Sequence, residues 1–345
     1  MNRDKTSILI IYTGGTIGMV QDPKDGILRP FDLKRIMRQI PEIDGLGYHI
    51  EAVSFNPPID SSDIDTETWS RIAEIIENHY KNFDGFVVLH GTDTMAYSAS
   101  ALSFMLENLT KPVIFTGAQL PIGALRTDGK ENLITSIVIA GTREYGKPVI
   151  PEVCIYFESK LSRGNRTTKV NAEQFNAFQS PNYPYLAKAG VHLVFHREHA
   201  RYPGKFRKLL VHKKLNNNIA ILKLFPGITP QLLDSILGYE GLKGVILETF
   251  GTGNAPTKQW FIERIKKAVD KGIIILNVTQ CNMGSVEMGR YETSRYLLNA
   301  GVISGYDITT EAATAKLMVL LAQNLKNEEV KMHLNRSLKG EITIP

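Results

Sequence analysis

The chain has 345 residues, which favours two domains, and 43% hydrophobic with 22% charged residues is typical of a protein that forms a buried core. The formal charge is +5 from 40 basic and 35 acidic residues, and no basic block is dense enough to indicate nucleic-acid binding. No apolar run reaches the ~20 residues of a membrane-spanning helix, and the run at 8–12 is too short for a signal peptide. The two cysteines, Cys154 and Cys281, are far apart, and neither they nor the histidines have metal-ligand spacing. We therefore predict a cytoplasmic protein with no metal, no membrane contact and no nucleic-acid partner.

Short apolar runs alternate with segments of helical periodicity in the first half of the chain. The predicted strands are 8–12, 50–55, 85–89, 112–116 and 153–157, and the predicted helices are 66–80, 95–106 and 132–140. This alternation predicts a largely parallel sheet with helices on both faces.

A second series of the same kind follows residue 218. Its predicted strands are 219–224, 244–249 and 273–278, and its predicted helices are 230–237, 257–271, 292–300 and 311–325. The segment between the two series is charged, lacks clear periodicity and ends in three asparagines. We predict two doubly wound α/β domains, a larger one at 1–191 and a smaller one at 219–345, joined by a linker at 192–218.

Polar, glycine-rich segments follow the predicted strands of the first domain. They are Thr-Gly-Gly-Thr-Ile-Gly at 13–18, Asp-Ser-Ser-Asp at 60–63, His-Gly-Thr-Asp-Thr at 90–94, Gly-Ala-Gln-Leu-Pro at 117–121 and Arg-Gly-Asn-Arg-Thr-Thr-Lys at 163–169. Because ligands bind beyond the carboxyl ends of parallel strands, these segments predict a site at one edge of the sheet.

Each segment also has a simpler interpretation when it is taken alone. The glycines at 14–15 fit an ordinary turn or a phosphate loop, although the spacings of the dinucleotide and P-loop motifs are absent. The polar residues at 92–94 fit the start of the helix at 95–106. Lys169 by itself fits a surface lysine.

Together, the segments indicate acyl transfer. A threonine hydroxyl is a poor nucleophile until a base removes its proton. A lysine shielded from water can act as that base, and a neighbouring aspartate can orient it. Backbone N–H groups of the glycine-rich turns can stabilise an oxyanion.

At these residues the chain resembles the bacterial-type L-asparaginases, and most closely their cytoplasmic type I branch. The matching motifs are segments 13–18, 60–63, 90–97, 163–169 and Gly-Thr-Gly-Asn-Ala-Pro at 251–256. The resemblance implies the two-domain fold predicted above and hydrolysis of L-asparagine to L-aspartate and ammonia through an acyl-enzyme, with no cofactor. It also implies a homodimer or homotetramer in which a neighbour's small domain helps to close each site.

The resemblance assigns roles to individual residues. Thr16 is the expected nucleophile, and Thr92, Asp93 and Lys169 form the supporting triad, with Lys169 as the base and Thr92 as its relay. The expected substrate-binding residues are Ser61 for the α-carboxylate, Asp93 for the α-amino group, Ser62 in the pocket wall and Ala118 through its backbone.

Two positions depart from the family pattern. Ile27 stands where a tyrosine usually assists the nucleophile, and Tyr291 is the hypothetical substitute, with a packing or interface role as the alternative. Some type I members bind asparagine at an allosteric site near the Arg-Thr-Thr-Lys motif, which here includes Thr168, and use an arginine for it. Glu248 stands at the position of that arginine, and a carboxylate repels another carboxylate. We therefore expect little or no activation at that site.

Two other functions fit parts of the sequence. An ammonia-generating amidotransferase subunit shares the asparaginase-like core but normally adds an amino-terminal domain, for which a first strand near residue 8 leaves no room. A non-catalytic amino-acid- or nucleotide-binding module fits the glycine loop but has no need of Thr16, Thr92 and Lys169 together.

Overall fold

The computed structural model describes residues 5–21, 28–30, 40–204, 207–290 and 292–344. Ile27 and Tyr291 lie outside these ranges, so the structure gives no account of the missing tyrosine or of its substitute. The chain divides into two compact units, Met1–Lys213 and Lys214–Pro345. Each unit has its own sheet, which confirms the predicted α/β fold class with a larger amino-terminal part and a smaller carboxy-terminal part.

Within the described residues of the first unit, eight strands form one sheet. They are β1 (Ser7–Tyr12), β2 (His49–Ser54), β3 (Gly85–Leu89), β4 (Val113–Thr116), β5 (Val153–Phe157), β6 (Lys160–Arg163), β7 (Ala187–Ala189) and β8 (Leu193–Phe195). The order across the sheet is β8-β7-β6-β5-β4-β3-β1-β2, with β1 to β5 parallel and the β5–β6, β6–β7 and β7–β8 pairs antiparallel. The order in which the parallel strands are added therefore reverses between β1 and β3. This is the switch point where doubly wound sheets bind ligands.

Helices cover both faces of this sheet. They are α1 (Thr66–His79), α2 (Met95–Met105) and α3 (Gly129–Gly141). Leu133 and Ile137 of α3 share one hydrophobic cluster with Ile10 of β1 and Val87 of β3. Residues that alternate with these along the strands are also fully buried, Leu9 among them, as expected of strands enclosed on two sides.

The segment at 192–218, predicted as a linker, lies mostly in the first unit. It contributes β8, and Leu210–Val211 pairs with Leu106–Glu107, while the two units divide between Lys213 and Lys214. Strands of two or three residues are too short to show the alternation by which a sequence reveals a strand.

The described part of the second unit contains a four-stranded parallel sheet. Its strands, in spatial order, are β9 (Ile219–Lys223), β10 (Gly244–Thr249), β11 (Ile274–Thr279) and β12 (Ile303–Ser304). Its helices are α4 (Pro230–Leu237), α5 (Gln259–Asp270), α6 (Glu292–Asn299), α7 (Thr310–Leu321) and α8 (Asn327–Leu334). The predicted helix at 311–325 was too long, because α7 ends at Leu321, and α8 was not predicted. Only Val330 and Leu334 of α8 are buried, so its sequence carries little helical periodicity.

Candidate active site

The loop after β1 is tied to the end of β3. The backbone nitrogen and the hydroxyl of Thr13 both donate to the carbonyl of Leu89, at 2.9 and 3.0 Å. The carbonyl of Thr13 accepts from the nitrogen of Ile59 at 2.7 Å, which also draws in the loop after β2. The segments that follow β1, β2 and β3 are therefore joined by hydrogen bonds at the switch point of the sheet.

Two glycines allow these segments to touch. Gly15 has φ 89°, and a Cβ atom on it would lie 2.5 Å from both the Cα atom and the nitrogen of Gly91. A Cβ atom on Gly91 would lie 2.5 Å from the hydroxyl oxygen of Ser61. Side chains at either position would separate the loops. Thr16 and Thr92 each follow one of these glycines directly, so the two threonines follow backbone positions that lie against each other.

Lys169 joins this group from a distant part of the chain. Its Nζ donates to Thr92 Oγ1 at 2.9 Å and to Asp93 Oδ1 at 2.7 Å. The Lys169 side chain is only 16% exposed, whereas that of Asp93 is 64% exposed. The ion pair thus presents its carboxylate to solvent and keeps its ammonium group next to a buried threonine hydroxyl.

The path of the chain to Lys169 differs from the sequence prediction. Segment 163–169 was expected to emerge directly from β5, but the antiparallel strand β6 intervenes and pairs Arg163 with Cys154. The chain then turns at Gly164, where a Cβ atom would lie 3.0 Å from that of Ala99 in α2, and Lys169 pairs with Phe178. The predicted lysine reaches the site, but by a hairpin and a return along α2.

A buried ion pair anchors the start of this return. Arg163 Nε donates to Glu152 Oε2 at 2.6 Å, and its guanidinium group lies 4.4 Å from the ring centre of Tyr183. Burial by itself lowers the pKa of Arg163, but the hydrogen bond and charge of Glu152 outweigh it and raise the pKa. The guanidinium group therefore stays charged and fixes β6 to the loop before β5.

Thr16 lies in a short 3-10 turn, Thr16–Gly18, at the mouth of the site. It is partly exposed, while the next residue, Ile17, is fully buried and its carbonyl accepts from the nitrogen of Ile122 at 3.3 Å. The turn is therefore held in place by the buried Ile17, while Thr16 remains partly exposed to solvent.

The two adjacent serines have different surroundings. Ser61 is 4% exposed, and its carbonyl accepts from the hydroxyl of Thr94 at 2.6 Å, which links the loops after β2 and β3. Ser62 is exposed, and its hydroxyl donates to Asp60 Oδ1 at 2.9 Å. The structure thus brings Ser61 against Gly91, while the described contact of the Ser62 hydroxyl is with its own loop.

The loop after β4 is clamped by the start of α3. Asp128 accepts from the nitrogen of Gln119 at 3.1 and 3.0 Å and from that of Leu120 at 3.2 Å. Asn132 Nδ2 donates to the carbonyl of Gly117 at 3.0 Å. Ala118, between these anchors, is 2% exposed, so its backbone is held rigidly.

A buried histidine supports the loop that carries Thr92 and Asp93. His90 Nδ1 lies 2.7 Å from the carbonyl of Gly91, which can only accept, so Nδ1 carries the proton. Nε2 then accepts from the hydroxyl of Ser98 at 2.9 Å, and that oxygen accepts from Trp69 Nε1 at 2.8 Å. Burial lowers the pKa of His90 to about 4, so the ring stays neutral at physiological pH.

Sequence reasoning did not assign a role to Gln119, His90 or Glu152. Gln119 and His90 lie inside the strand-end motifs, and this position was the available signal. No comparable signal marks Glu152, because its partner Arg163 is recognised only once the β5–β6 hairpin is formed.

The described residues lack a metal-binding cluster and a membrane-spanning helix. No group of three or more His, Cys, Asp or Glu side chains among them could hold a metal ion. None of the described helices combines the length and the apolar character that crossing a membrane requires.

Comparison with known proteins decides the family. Residues 7–201 match the family model described as Asparaginase, N-terminal, and residues 218–334 match the Glutaminase/Asparaginase C-terminal domain. The chain belongs to the asparaginase family. L-asparaginase 1 of Escherichia coli K12 is 43% identical to it over 340 residues, which cover 98% of each chain. The resemblance found in the sequence motifs is thereby confirmed.

A solved structure agrees in fold, and a further relative is similar in sequence. The crystal structure of L-asparaginase I from Vibrio cholerae matches 99% of this chain and 100% of its own, with a TM-score of 0.90 and 40% identity. The 60 kDa lysophospholipase of Mus musculus is 42% identical over 98% of this chain, which corresponds to 63% of that longer protein.

Glu248, one departure from the asparaginase pattern, is held inside the second unit. Its Oε1 accepts from the hydroxyl of Thr310 at 2.7 Å, and its Oε2 lies 3.4 Å from Lys223 Nζ. Its side chain is 13% exposed. The carboxylate is therefore fixed by its own unit.

Proposed function

We propose that the protein is an L-asparaginase that hydrolyses the side-chain amide of L-asparagine to L-aspartate and ammonia. The observation that carries the proposal is the contact of Lys169 Nζ with both Thr92 Oγ1 and Asp93 Oδ1, beside the loop that ends in Thr16. Membership of the asparaginase family supports the same reaction.

In the first half of the reaction, Thr16 is the nucleophile. Its hydroxyl oxygen forms a bond to the side-chain amide carbon of the substrate, and its proton leaves through Thr92 towards Lys169. The C–N bond then breaks, and the amide nitrogen takes up a proton and leaves as ammonia. N–H groups of the glycine-rich turns stabilise the negative oxygen of the intermediate.

In the second half, water replaces ammonia. A water molecule attacks the acyl carbon of the Thr16 ester while Thr92 and Lys169 accept its proton. The ester bond breaks, the proton returns to the Thr16 oxygen, and aspartate is released. Lys169 acts as a base only in its neutral form, and Asp93 orients it between turnovers.

The substrate backbone is bound at the rim of the site. Ser61 binds the α-carboxylate, Asp93 the α-amino group, and the backbone at Ala118 the amide that leaves. Ser62 lines the same pocket. The exposed carboxylate of Asp93 suits an ammonium ligand, and the rigid loop at Ala118 suits a contact made by backbone atoms.

We also propose the assembly and the location that the family resemblance implies. The protein forms a cytoplasmic homodimer or homotetramer, and a neighbour's small domain helps to close each site. The catalytic residues lie in the domain at 1–191, and the domain at 219–345 supplies the small-domain surface.

Ammonia release from L-asparagine by the purified protein tests the reaction. Thr16→Ala should abolish turnover, while Thr16→Ser, which keeps the hydroxyl, should retain part of it. Thr6→Ala is a matched control, because Thr6 precedes the opposite end of β1, and it should leave turnover unchanged. Full activity in Thr16→Ala would overturn the proposal.

A further inference from the structure

The phenol group of Tyr12 packs directly against the turn that carries Thr16. Tyr12 is the last residue of β1, and it is only 1% exposed. A Cβ atom on Gly18, the last residue of the turn, would lie 1.9 Å from the Tyr12 hydroxyl oxygen and 2.4 Å from its Cζ. Gly18 does not have the positive φ that favours glycine. Its lack of a side chain therefore serves the close contact with the phenol.

The hydroxyl group at this contact is buried but unpaired. Among the residues that the structure describes, none forms a hydrogen bond with the Tyr12 hydroxyl. Tyr12 belongs instead to the hydrophobic cluster that contains Ile17 and Ile122. A hydroxyl buried without a partner costs free energy that a phenylalanine would not cost. Burial also raises the pKa of Tyr12 to about 12, so the group keeps its proton at physiological pH and is available as a neutral donor.

The proposed reaction requires a small movement of the Thr16 turn. Before attack, the reacting atoms lie about 3–3.5 Å apart, and a covalent bond is less than half as long. Ser61, proposed to bind the substrate, is fixed through its carbonyl by the hydroxyl of Thr94 at 2.6 Å. The bond from the Ile122 nitrogen to the Ile17 carbonyl is 3.3 Å, longer than the usual N–H···O range. The turn is therefore held more weakly than the loop of Ser61, and it takes up most of the movement.

We propose that Tyr12 is a positioning residue whose hydroxyl donates a hydrogen bond to the backbone of the Thr16–Gly18 turn as Thr16 bonds to the substrate. The inference rests on the proposed function of Thr16 as the nucleophile. In the resting enzyme the hydroxyl faces Gly18 without a partner, and the shift of the turn gives it a carbonyl acceptor.

The Ile17 carbonyl is suited to accept this bond. A carbonyl oxygen has two lone pairs, so it can accept from Tyr12 in addition to Ile122. The free energy lost by burying an unpaired hydroxyl in the resting enzyme is then recovered in the transition state. An interaction that is made in the transition state and not in the ground state lowers the barrier and raises kcat.

Removal of the phenol oxygen tests the proposal. In Tyr12→Phe, kcat and kcat/KM should fall together by about threefold to tenfold, as for one lost hydrogen bond, with KM changed less than about twofold. The urea midpoint of the substrate-free protein should stay the same or rise, because the variant buries no unpaired hydroxyl. A merely structural role of the hydroxyl would lower the midpoint instead.

Tyr156→Phe is the matched control. Tyr156 is 0% exposed and belongs to the same hydrophobic cluster, but it lies on β5, and β3 and β4 separate that strand from β1. This variant should keep the kcat and KM of the wild type. An equal fall of kcat in both variants would mean that the loss of any buried phenol oxygen disturbs the site, and the proposal would then be wrong.

Single-turnover measurements with L-asparagine locate the effect in the reaction. The rate of ammonia release in the first turnover should fall in Tyr12→Phe, while the asparagine concentration that gives half of the maximal rate stays the same. A wild-type rate, a change confined to KM or a lower urea midpoint would each refute the inference. Failure of the wild type to release ammonia would instead refute the proposed function.

Discussion

The ammonium nitrogen of Lys169 lies 2.9 Å from the hydroxyl oxygen of Thr92, although the two residues are 77 positions apart in the chain. The same nitrogen contacts Asp93, and Gly15 packs on Gly91, so three separate segments of the chain meet here. This convergence is the basis for the first two predictions.

The losses of activity caused by substituting Lys169 and by substituting Thr92 should not be additive. Because both act in one relay, Lys169→Met and Thr92→Val should each lower kcat by roughly 10²–10⁴-fold, and the double variant should lose little more than either alone. Steady-state ammonia release measures all three. Lys160→Met, a change of a partly exposed lysine on β6, should keep activity, and a multiplicative loss in the double variant would contradict a shared relay.

Adding one methyl group at Gly15 should damage the site. Gly15→Ala introduces a Cβ atom 2.5 Å from the backbone of Gly91 and also strains a residue at φ 89°. Gly146→Ala is the control, since φ is 75° there and nothing lies within 4 Å. The control should lose about 1–2 kcal/mol of unfolding free energy from backbone strain alone and keep its activity. Gly15→Ala should lose more stability and nearly all turnover, and an equal loss in the two variants would show that the loops do not need this contact.

His90 should make the free energy of unfolding depend on pH. Its pKa is lowered by burial to about 4, against 6.5 for an unperturbed histidine, so between these values the unfolded chain binds a proton that the folded chain rejects. The contribution of neutral His90 to the free energy of unfolding is complete above pH 6.5. Roughly 3 kcal/mol of that free energy is lost as the pH falls to about 4. Chemical denaturation from pH 7 to 4 should show a shallower decline in His90→Gln than in the wild type. His192→Gln, at an exposed position, should follow the wild type, and parallel curves for His90→Gln would disprove this role.

The buried pair of Lys316 and Glu341 should stabilise the second unit only as a pair. Lys316 Nζ lies 2.7 Å from Glu341, both side chains are 0% exposed, and Glu341 also accepts from the nitrogens of Leu338 and Lys339. Burial lowers the pKa of Lys316, and although burial also tends to raise that of Glu341, the lysine charge lowers it.

Lys316→Met should therefore lower the unfolding free energy by about 3–5 kcal/mol, because it leaves a buried charge without its partner. The double variant Lys316→Met with Glu341→Gln should recover part of this loss. Lys266→Met, in an exposed pair on α5, should change the same quantity by at most about 1 kcal/mol. Urea denaturation measures all three, and a double variant less stable than Lys316→Met would argue against the explanation.

Glu248 should leave the enzyme without activation by asparagine at a second site. Its carboxylate is held by Thr310 and Lys223 and repels the carboxylate of an amino acid. The velocity should rise hyperbolically with asparagine concentration, with a Hill coefficient of about 1. A sigmoidal curve that becomes hyperbolic in Thr168→Ala would contradict this expectation.

Many of the strands and helices could be predicted from the sequence because their patterns lie within one short segment. Strands such as β3, β5 and β10 were predicted with the bounds that the structure has, since buried parallel strands appear as continuous apolar runs. The short strands β7 and β8 and the helix α8 were missed because they are short or expose most of their residues. Their formation depends on partners distant in the chain.

The candidate site divides in the same way. The glycine-rich turns after β1 and β3 identify Thr16, Thr92 and Asp93 from residue order, because parallel strands deliver their carboxyl ends to one edge. The hairpin that returns the chain to Lys169 cannot be predicted from residue order. The same is true of the turn at 172–174, whose backbone carbonyls accept hydrogen bonds from the Gln119 side chain. The catalytic and substrate-binding roles of Thr16, Thr92, Asp93 and Lys169 remain predictions, as do those of Ser61, Ser62, Ala118 and Tyr291.

The sequence by itself determined the α/β class, the family and the set of candidate catalytic side chains, since each depends on short motifs and on periodicity along one segment. Only the tertiary structure decided that Lys169 reaches Thr92 past an antiparallel strand, that His90 is buried and neutral, and that Gln119 faces the Thr92 hydroxyl. Those three facts depend on how side chains 8 to 77 positions apart in the chain are oriented towards each other. A change of a few tenths of an ångström in the distance between donor and acceptor decides whether such a hydrogen bond forms.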